Sequence, residues 1–355
     1  MKIRILQAFN GDSIWVSFTD QNNSPRNILI DGGVGETYLK SKNSKGKREF
    51  GELKEVIDAI REEHQKIDLL ILTHIDDDHI GGILKWFQHD GEAYNLITKV
   101  WFNSGGLISE TFKFEENKDL ELYFDEDLSE KTSIPQGKSF AEYIHEHGIW
   151  HRQIIRQGDT LTEFGLDFKI LSPDNLKLEK LLKEWKRKDP DLKTASKEND
   201  YHLSLQEHLD NDDYEEDKAI PNGSSIGFIL VWDNLNFLFL GDAHPSVLID
   251  GLRTFGFSKK NKINCELVKL SHHGSAGNTS PELLEYIDCS NFIVSTNGNG
   301  HQHPHKQMLA RLINEKKTCT IWFNYKERMD MVFRKKDEDE FPDFKSLEIK
   351  NDFQF

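Results

Sequence analysis

The chain has 355 residues, with 45 Lys and Arg against 61 Asp and Glu and a formal net charge of −16. That length can bury a substantial core in one large domain or two ordinary ones. The charge argues against a broad basic face for nucleic acid, while leaving local basic segments open. Cys265, Cys289 and Cys319 stand far apart with no CxxC pair, which argues against a disulfide scaffold and suits a reducing compartment. No apolar run approaches a membrane span, and MKIRILQAFNGDSIWVSF alternates like a strand pair rather than a signal peptide. A cytoplasmic location without a membrane partner is expected.

In chain order, KIRILQA, SIWVSFT and RNILID predict three short strands joined by tight turns. GELKEVIDAIREEHQ follows with helical spacing, then the strand IDLLILT, a helix after Gly82 and the strand ITKVWF. Beyond an irregular stretch, roughly 104–148, come the strands LDFKILS, SSIGFILVW and NFLFLG and a helix after Pro245. The strand CELVKLS, a helix at PELLEYI, the strand NFIVST and a helix opened by Pro304 lead to terminal strands at TCTIWF and MDMVFRK.

Strands first and helices alternating later, twice over, predict two mixed sheets packed face to face with helices outside. This is an α/β sandwich, a single domain over 1–335. Insertions are expected at about 105–150 and 175–220. The second joins a basic piece, LKLEKLLKEWKRKDP, to an acidic one, QEHLDNDDYEEDK, read as solvated surface. LKSKNSKGKREF forms a basic loop, and 336–355 reads as a charged, peripheral C-terminal extension.

The chemistry concentrates in THIDDDHIGG, where an apolar strand runs into His74, Asp76, Asp78 and His79 on the loop beyond it. Mixed imidazole and carboxylate donors suit zinc and also harder ions such as manganese. His74 with Asp76, and Asp78 with His79, could each grip a different ion. The glycine pair allows a sharp turn into the next helix. The bland alternative is helix capping, for which one Asp would serve.

Three more strands end in acid or imidazole: Asp31 in NILIDGG, Asp242 in NFLFLGDAH, and His272 with His273 in LVKLSHHGSAGN. Singly, these read as turn or packed residues. Together they mark a ligand site beyond the strand ends. NGNGHQHPH adds His301, His303 and His305, of which His303 is the candidate active-site residue, able to protonate a leaving group or contact a phosphate oxygen. Lys269 reads either as an anion contact or as a residue on the solvent side of its strand.

These motifs resemble the metallo-β-lactamase superfamily, from residue 1 to about Lys335 outside the insertions. THIDDDHIGG, with AFNGDSIWV and NILIDGG before it and SHHGS and STNGNGHQHPH after it, is most similar to the hydrolase domain of ComEC competence proteins. The resemblance implies a four-layer αββα sandwich with a one- or two-metal hydrolytic site between its sheets. It implies that His74 and Asp76 hold one metal, Asp78 and His79 the other, that Asp242 bridges them, and that His272 or His273 completes the second position. Asp31 would orient the histidines from behind. Two departures stand out: Asp76 replaces a usual His, and Asn222, Ser224 and Ser225 stand where a histidine is usual before the GDA strand. Both make the first position richer in oxygen, and favour a labile or manganese-preferring site over a zinc β-lactamase site.

Two divalent ions, Zn²⁺ or Mn²⁺, would lower the pKa of a shared water, and phosphodiester hydrolysis by a bridging hydroxide fits best, with Asp76 or Asp78 taking the proton. Lys40, Lys42, Lys45, Lys47 and Arg48 would suit phosphates if their loop overhangs the site. The acidity of the chain favours short or single-stranded DNA or RNA, or a small phosphorylated substrate. Hydrolysis of a small ester, lactone or amide is the alternative reading. A third is a metal-binding effector or scaffold subunit of a multi-protein system, meeting a protein partner through the insertions.

Overall fold

The computed structural model describes residues 1–41, 46–112, 133–185 and 198–355. Its strands are β1 (Lys2–Ile5), β2 (Ile14–Thr19), β3 (Pro25–Ile30), β4 (Leu69–Ile71), β5 (Val100–Trp101), β6 (Thr160–Glu163), β7 (Leu166–Ser172) and β8 (Gly227–Trp232). They continue as β9 (Leu235–Phe239), β10 (Ile263–Asn264), β11 (Leu267–Lys269), β12 (Ile287–Asp288), β13 (Asn291–Val294), β14 (Thr320–Phe323), β15 (Lys345–Glu348) and β16 (Phe353–Gln354). One sheet runs β16-β1-β2-β3-β4-β5 and the other β15-β14-β13-β11-β9-β8-β7-β6, with β10 and β12 forming a small ladder apart. Each large sheet turns from antiparallel to parallel, at β3–β4 in the first and at β9–β11 in the second.

Strand periodicity explains why β4 and its continuation read as an unbroken apolar run. Leu69 and Ile71 join the core between the sheets, while Leu70 and Leu72 face the opposite way into helices. The inter-sheet core also takes Ile14, Val16, Ile28 and Ile30 from one side and Phe168, Phe228, Phe237 and Ile293 from the other. Leu53, Val56, Ile57 and Ile60 bury one stripe of the helix Glu52–Glu62 on the outer face of the first sheet. Helices Pro245–Thr254 and Lys306–Lys316 cover the second sheet in the same way. The expected four-layer αββα arrangement results.

Several elements differ from expectation. MDMVFRK lies mostly in the helix Lys326–Val332, whose buried Arg328 and Val332 are four residues apart. Its alternating Met and Asp mimic a strand. The irregular stretch contains helices Gly105–Phe112 and Ser133–Glu146, and Phe140 and Ile144 of the second pack in the outer core of the first sheet. The helix Asn175–Trp185 buries Leu178, Leu181, Leu182 and Trp185 in that same core.

The C-terminal residues are not peripheral. They supply β15 and β16, which edge both large sheets, and Asp337 is fully buried against Lys306. Pro304 does not open its helix, which begins at Lys306 with His305 as N-cap. The basic loop is closed by Lys40 N donating to Glu49 O at 2.9 Å, and its Lys42 and Lys45 lie outside the described residues. No helix among the described residues is long and apolar enough to cross a membrane.

Candidate metal centre

The motif residues do not all sit on a loop. The helix Asp77–His89 begins inside THIDDDH, so Asp78 and His79 occupy its first turn and Asp76 is its N-cap. The Asp76 carboxylate makes no capping hydrogen bond, and instead lies 3.7 Å from His74 Nε2. Gly81 and Gly82 are within the helix, and Gly82 lets it dock rather than turn. A Cβ there would stand 2.0 Å from Gly32 O. Gly32 N donates to His79 O at 2.7 Å and Gly82 N to Gly33 O at 2.8 Å, stitching the helix start to the end of β3. Gly11 allows an equally close approach, its missing Cβ falling 1.9 Å from Asp78 O.

Asp242 is the hub. Its Oδ1 is 3.3 Å from His79 Nε2, and its Oδ2 is 3.7 Å from His74 Nε2, 3.7 Å from His272 Nε2 and 3.9 Å from His273 Nε2. Asp78 closes the far side, with Oδ2 3.4 Å from His273 Nε2 and Oδ1 4.0 Å from His79 Nε2. The structure thus brings together every residue expected to bind metal: His74, Asp76, Asp78, His79, Asp242, His272 and His273. It also separates the two adjacent histidines. All of His74, His272 and His273 approach Asp242 Oδ2, but His273 stands nearer Asp78, at 3.4 Å, while His272 stands on the side of Asp217 and Asn278.

Hydrogen bonds set the direction of each ring. Asp31 accepts from Thr73 Oγ1 at 2.7 Å and from His79 Nδ1 at 2.8 Å, both on Oδ2. Because the Thr73 hydroxyl donates to Asp31, its oxygen accepts from His74 Nδ1 at 3.1 Å. His273 Nδ1 donates to the Ser295 carbonyl at 3.0 Å, and His272 Nδ1 donates to Asn278 Oδ1 at 2.9 Å. All four imidazoles therefore hold a proton on Nδ1, away from the centre, and turn Nε2 toward it, free to ligate once any second proton leaves.

The test of fit is the set of buried atoms left over. His74 Nε2, His79 Nε2, His273 Nε2 and Asp242 Oδ1 are buried without a hydrogen-bond partner. Orphaned buried groups cost about 1–3 kcal/mol each, so three such nitrogens gathered around a carboxylate with an orphaned oxygen of its own fit bound cations. Asp12, His79, Asp242 and His273 offer donor atoms within 4.8 Å of one another. Asp12 is better placed as support than as ligand: it pairs with buried Lys269 and lies 3.2 Å from His273 Nδ1.

Charge balances within the cluster. Burial would raise Asp78, but the imidazoles of His273 and His79 hold it well below the usual carboxylate range. Burial would lower His273, but Asp12 and Asp242 raise it to about 9, and Asp242 and Asp31 likewise raise His79. His74 stays below its ordinary value through burial and the neighbouring His79. His272 (φ 46°) and His273 (φ 53°) both adopt the left-handed conformation, which costs an ordinary residue about 1–2 kcal/mol. Ser271 Oγ to Ala243 O at 2.8 Å and His272 N to Gly241 O at 2.9 Å hold the turn that aims both rings inward.

His303 lies beside the centre, its ring 4.7 Å from that of His272, with Nδ1 donating to His272 O at 3.0 Å. Burial and the surrounding imidazoles push it well below its ordinary value, so its Nε2 is an acceptor. Lys269 is neither an anion contact nor on the solvent side; Asp12 neutralises it inside the protein. Asn222 and Ser225, standing where a histidine is usual, serve as hydrogen-bonding groups: Asp242 N donates to Ser225 Oγ at 3.1 Å, and Asn222 Nδ2 donates to Asp217 at 2.6 Å.

Sequence reasoning missed Asp12, Asp217 and Asn278. Asp12 had a signal, an acid after Gly11 at the end of a strand pair. Asp217 was discounted as part of a solvated acidic run. Its neighbours are also engaged: Glu216 accepts from Ser246 N at 2.7 Å, and Asp212 accepts from Arg311 Nη2 at 2.6 Å.

Two mixed sheets packed face to face between helices, with imidazoles and carboxylates gathered beyond their strand ends, form the arrangement expected of the metallo-β-lactamase fold. The family model described as the metallo-beta-lactamase superfamily matches residues 21–155. The chain is also 21% identical over 338 residues to ComE operon protein 3 of Bacillus subtilis (strain 168), covering 92% of this chain and 33% of that protein. The chain thus spans about a third of the length of that relative.

Proposed function

We propose that the chain is a metal-dependent hydrolase of phosphodiester bonds, a phosphodiesterase or nuclease that uses two divalent ions, Zn²⁺ or Mn²⁺. The observation that carries the reading is the convergence of three orphaned buried imidazole nitrogens, from His74, His79 and His273, on the Asp242 carboxylate, whose own Oδ1 is also orphaned. His74, Asp76 and Asp242 would hold one ion and Asp78, His79, His273 and Asp242 the other, with His272 nearest the first. When bound, such ions supply a water of lowered pKa and neutralise phosphoryl oxygens. Asp31 keeps the rings of His74 and His79 turned inward, and the Ser295 carbonyl does the same for His273, with the Asp12 carboxylate beside that nitrogen.

Asp76 and Asp78, with side chains 26% and 19% exposed, are the groups placed to take a proton from solvent-derived nucleophile. His303, with Nδ1 given to His272 O and a neutral, accepting Nε2, would meet a hydroxyl of the substrate rather than donate to a leaving group or a phosphate oxygen as expected from the sequence. Oxygen-rich positions favour manganese over a tightly held zinc. The basic loop Lys40–Arg48 remains a proposed phosphate contact, and a short or single-stranded nucleic acid the proposed substrate.

Metal content by elemental analysis, paired with manganese- or zinc-dependent cleavage of short DNA, RNA and a bis-aryl phosphodiester, tests this. Metal-dependent cleavage that disappears in folded Asp78→Ala protein supports it. Bound metal with none of the three cleaved shifts the reading to small esters. Failure to bind metal after reconstitution overturns it.

A further inference from the structure

The acidic segment before the Gly227 strand brings a carboxylate into the centre that the metal-site motifs do not contain. Asp217 Oδ2 accepts from Asn222 Nδ2 at 2.6 Å and from Asn278 Nδ2 at 3.1 Å, and stands 3.6 Å from His272 Nδ1. That last distance is too long for a hydrogen bond, so Asp217 reaches the imidazole through Asn278.

The amide of Asn278 has a defined orientation. Its nitrogen donates both to Asp217 and, at 3.0 Å, to the Asp242 carbonyl, two groups that only accept. Its oxygen must then face His272 Nδ1, 2.9 Å away, which requires the proton on Nδ1 and leaves Nε2 toward Asp242. The 3.3 Å approach of Asn222 Nδ2 to the same Nδ1 is a contact between two donors; the Asn222 bond goes to Asp217. Asn278 is fully buried, so no water substitutes for this chain of bonds without displacing protein.

We propose that Asp217 is a positioning residue for His272. By pinning Asn278 it fixes the tautomer and aim of that ring, so that His272 Nε2 completes the metal position formed by His74, Asp76 and Asp242. Asp217, through Asn278, thereby does for His272 what Asp31 does for His74 through Thr73. The inference rests on the two-metal reading above. It also separates the adjacent histidines: His272 serves one ion and His273 the other. The segment that carries Asp217 is anchored independently, by Glu216 on Ser246 and by Asp212 on Arg311, so its attachment and its action on His272 can be separated.

The test is a calorimetric titration of metal-free protein with Mn²⁺, and with Co²⁺ for its visible spectrum. The variants are Asp217→Ala, Asn278→Ala, the double variant and Glu216→Ala, each first shown folded by its thermal midpoint. Wild type should take up two ions. Asp217→Ala should weaken one of them by about 10–100-fold and alter the Co²⁺ spectrum of that position. Asn278→Ala, which leaves the carboxylate in place, should do the same, and the double variant should be no worse than the weaker single. Glu216→Ala should leave both affinities as they are. Undiminished binding by Asp217→Ala, or an equal loss in Glu216→Ala, overturns the proposal while the metal centre stands. A wild-type protein that binds no Mn²⁺ or Co²⁺ overturns the metal centre itself.

Discussion

Gly82→Ala sets two physical effects against each other at a position beside the centre. Gly82 is in the interior of the helix Asp77–His89, where alanine is intrinsically better by about 1 kcal/mol. The new Cβ would lie 2.0 Å from Gly32 O and 3.1 Å from Leu53 Cδ2. Carbon and carbonyl oxygen meet at about 3.3 Å, and a backbone carbonyl cannot swing aside as a side chain can, so the helix must retreat by roughly 1 Å. Overpacking of this kind costs about 1–3 kcal/mol. The retreat also stretches the bonds from Gly82 N to Gly33 O and from Gly32 N to His79 O, at about 1 kcal/mol each. Packing wins, and the net destabilisation is about 2–4 kcal/mol.

Urea denaturation of the metal-free variant measures that cost. Because Asp78 and His79 ride on the same helix start, metal titration should show both the affinity and the geometry of their position impaired. A Gly82→Ala protein that is as stable as wild type and binds metal equally would refute the reasoning, by showing that the helix is not held at the strand end by close approach.

At pH 7 the metal-free protein should hold His79 and His273 protonated, since Asp31, Asp242 and Asp12 raise them, His273 to about 9. Ligation needs their Nε2 lone pairs, so metal binding should release about two protons from these rings and a further share from His272, which Asp242 also raises, read from calorimetry in buffers of different ionisation enthalpy. The release should shrink as pH rises through about 9, and none at pH 7 would contradict the charge assignment. The sign for stability follows: with a raised folded pKa, the stabilisation is complete below the ordinary value of 6.5 and is lost as pH climbs through about 9. Asp337→Ala should destabilise the fold by about 3–5 kcal/mol, because it strands fully buried Lys306 and removes the acceptor of Leu205 N. A change under about 1 kcal/mol by denaturation would show that the C-terminal segment is as dispensable as its composition suggests. Asp78→Ala should keep the fold and lose metal-dependent cleavage.

The strands ending in His74, Asp31, Asp242, His272 and His273 were legible in the sequence, because a both-faces-buried strand is a continuous apolar run and charge at its end is conspicuous. The layers followed from the order of such runs. The start of helix Asp77–His89 was misplaced by six residues, since Gly81 and Gly82 look like a turn when the docking partner of Gly82, Gly32, is fifty positions away. Composition likewise hid Asp217, Asp337 and the strands β15 and β16, because a charged residue shows its burial only once its partner is known.

What the sequence determined by itself was therefore the periodic part: the alternating strands, the helices with apolar stripes, and the class of donor atoms at the strand ends. Tertiary structure alone decided which nitrogen of each histidine faces the centre, which of two adjacent histidines stands with His79, and that an acidic segment reaches His272. Ring orientation depends on hydrogen bonds to Asp31, Ser295 and Asn278, which are remote in the chain and meet these rings only when both sheets close on the inter-sheet core.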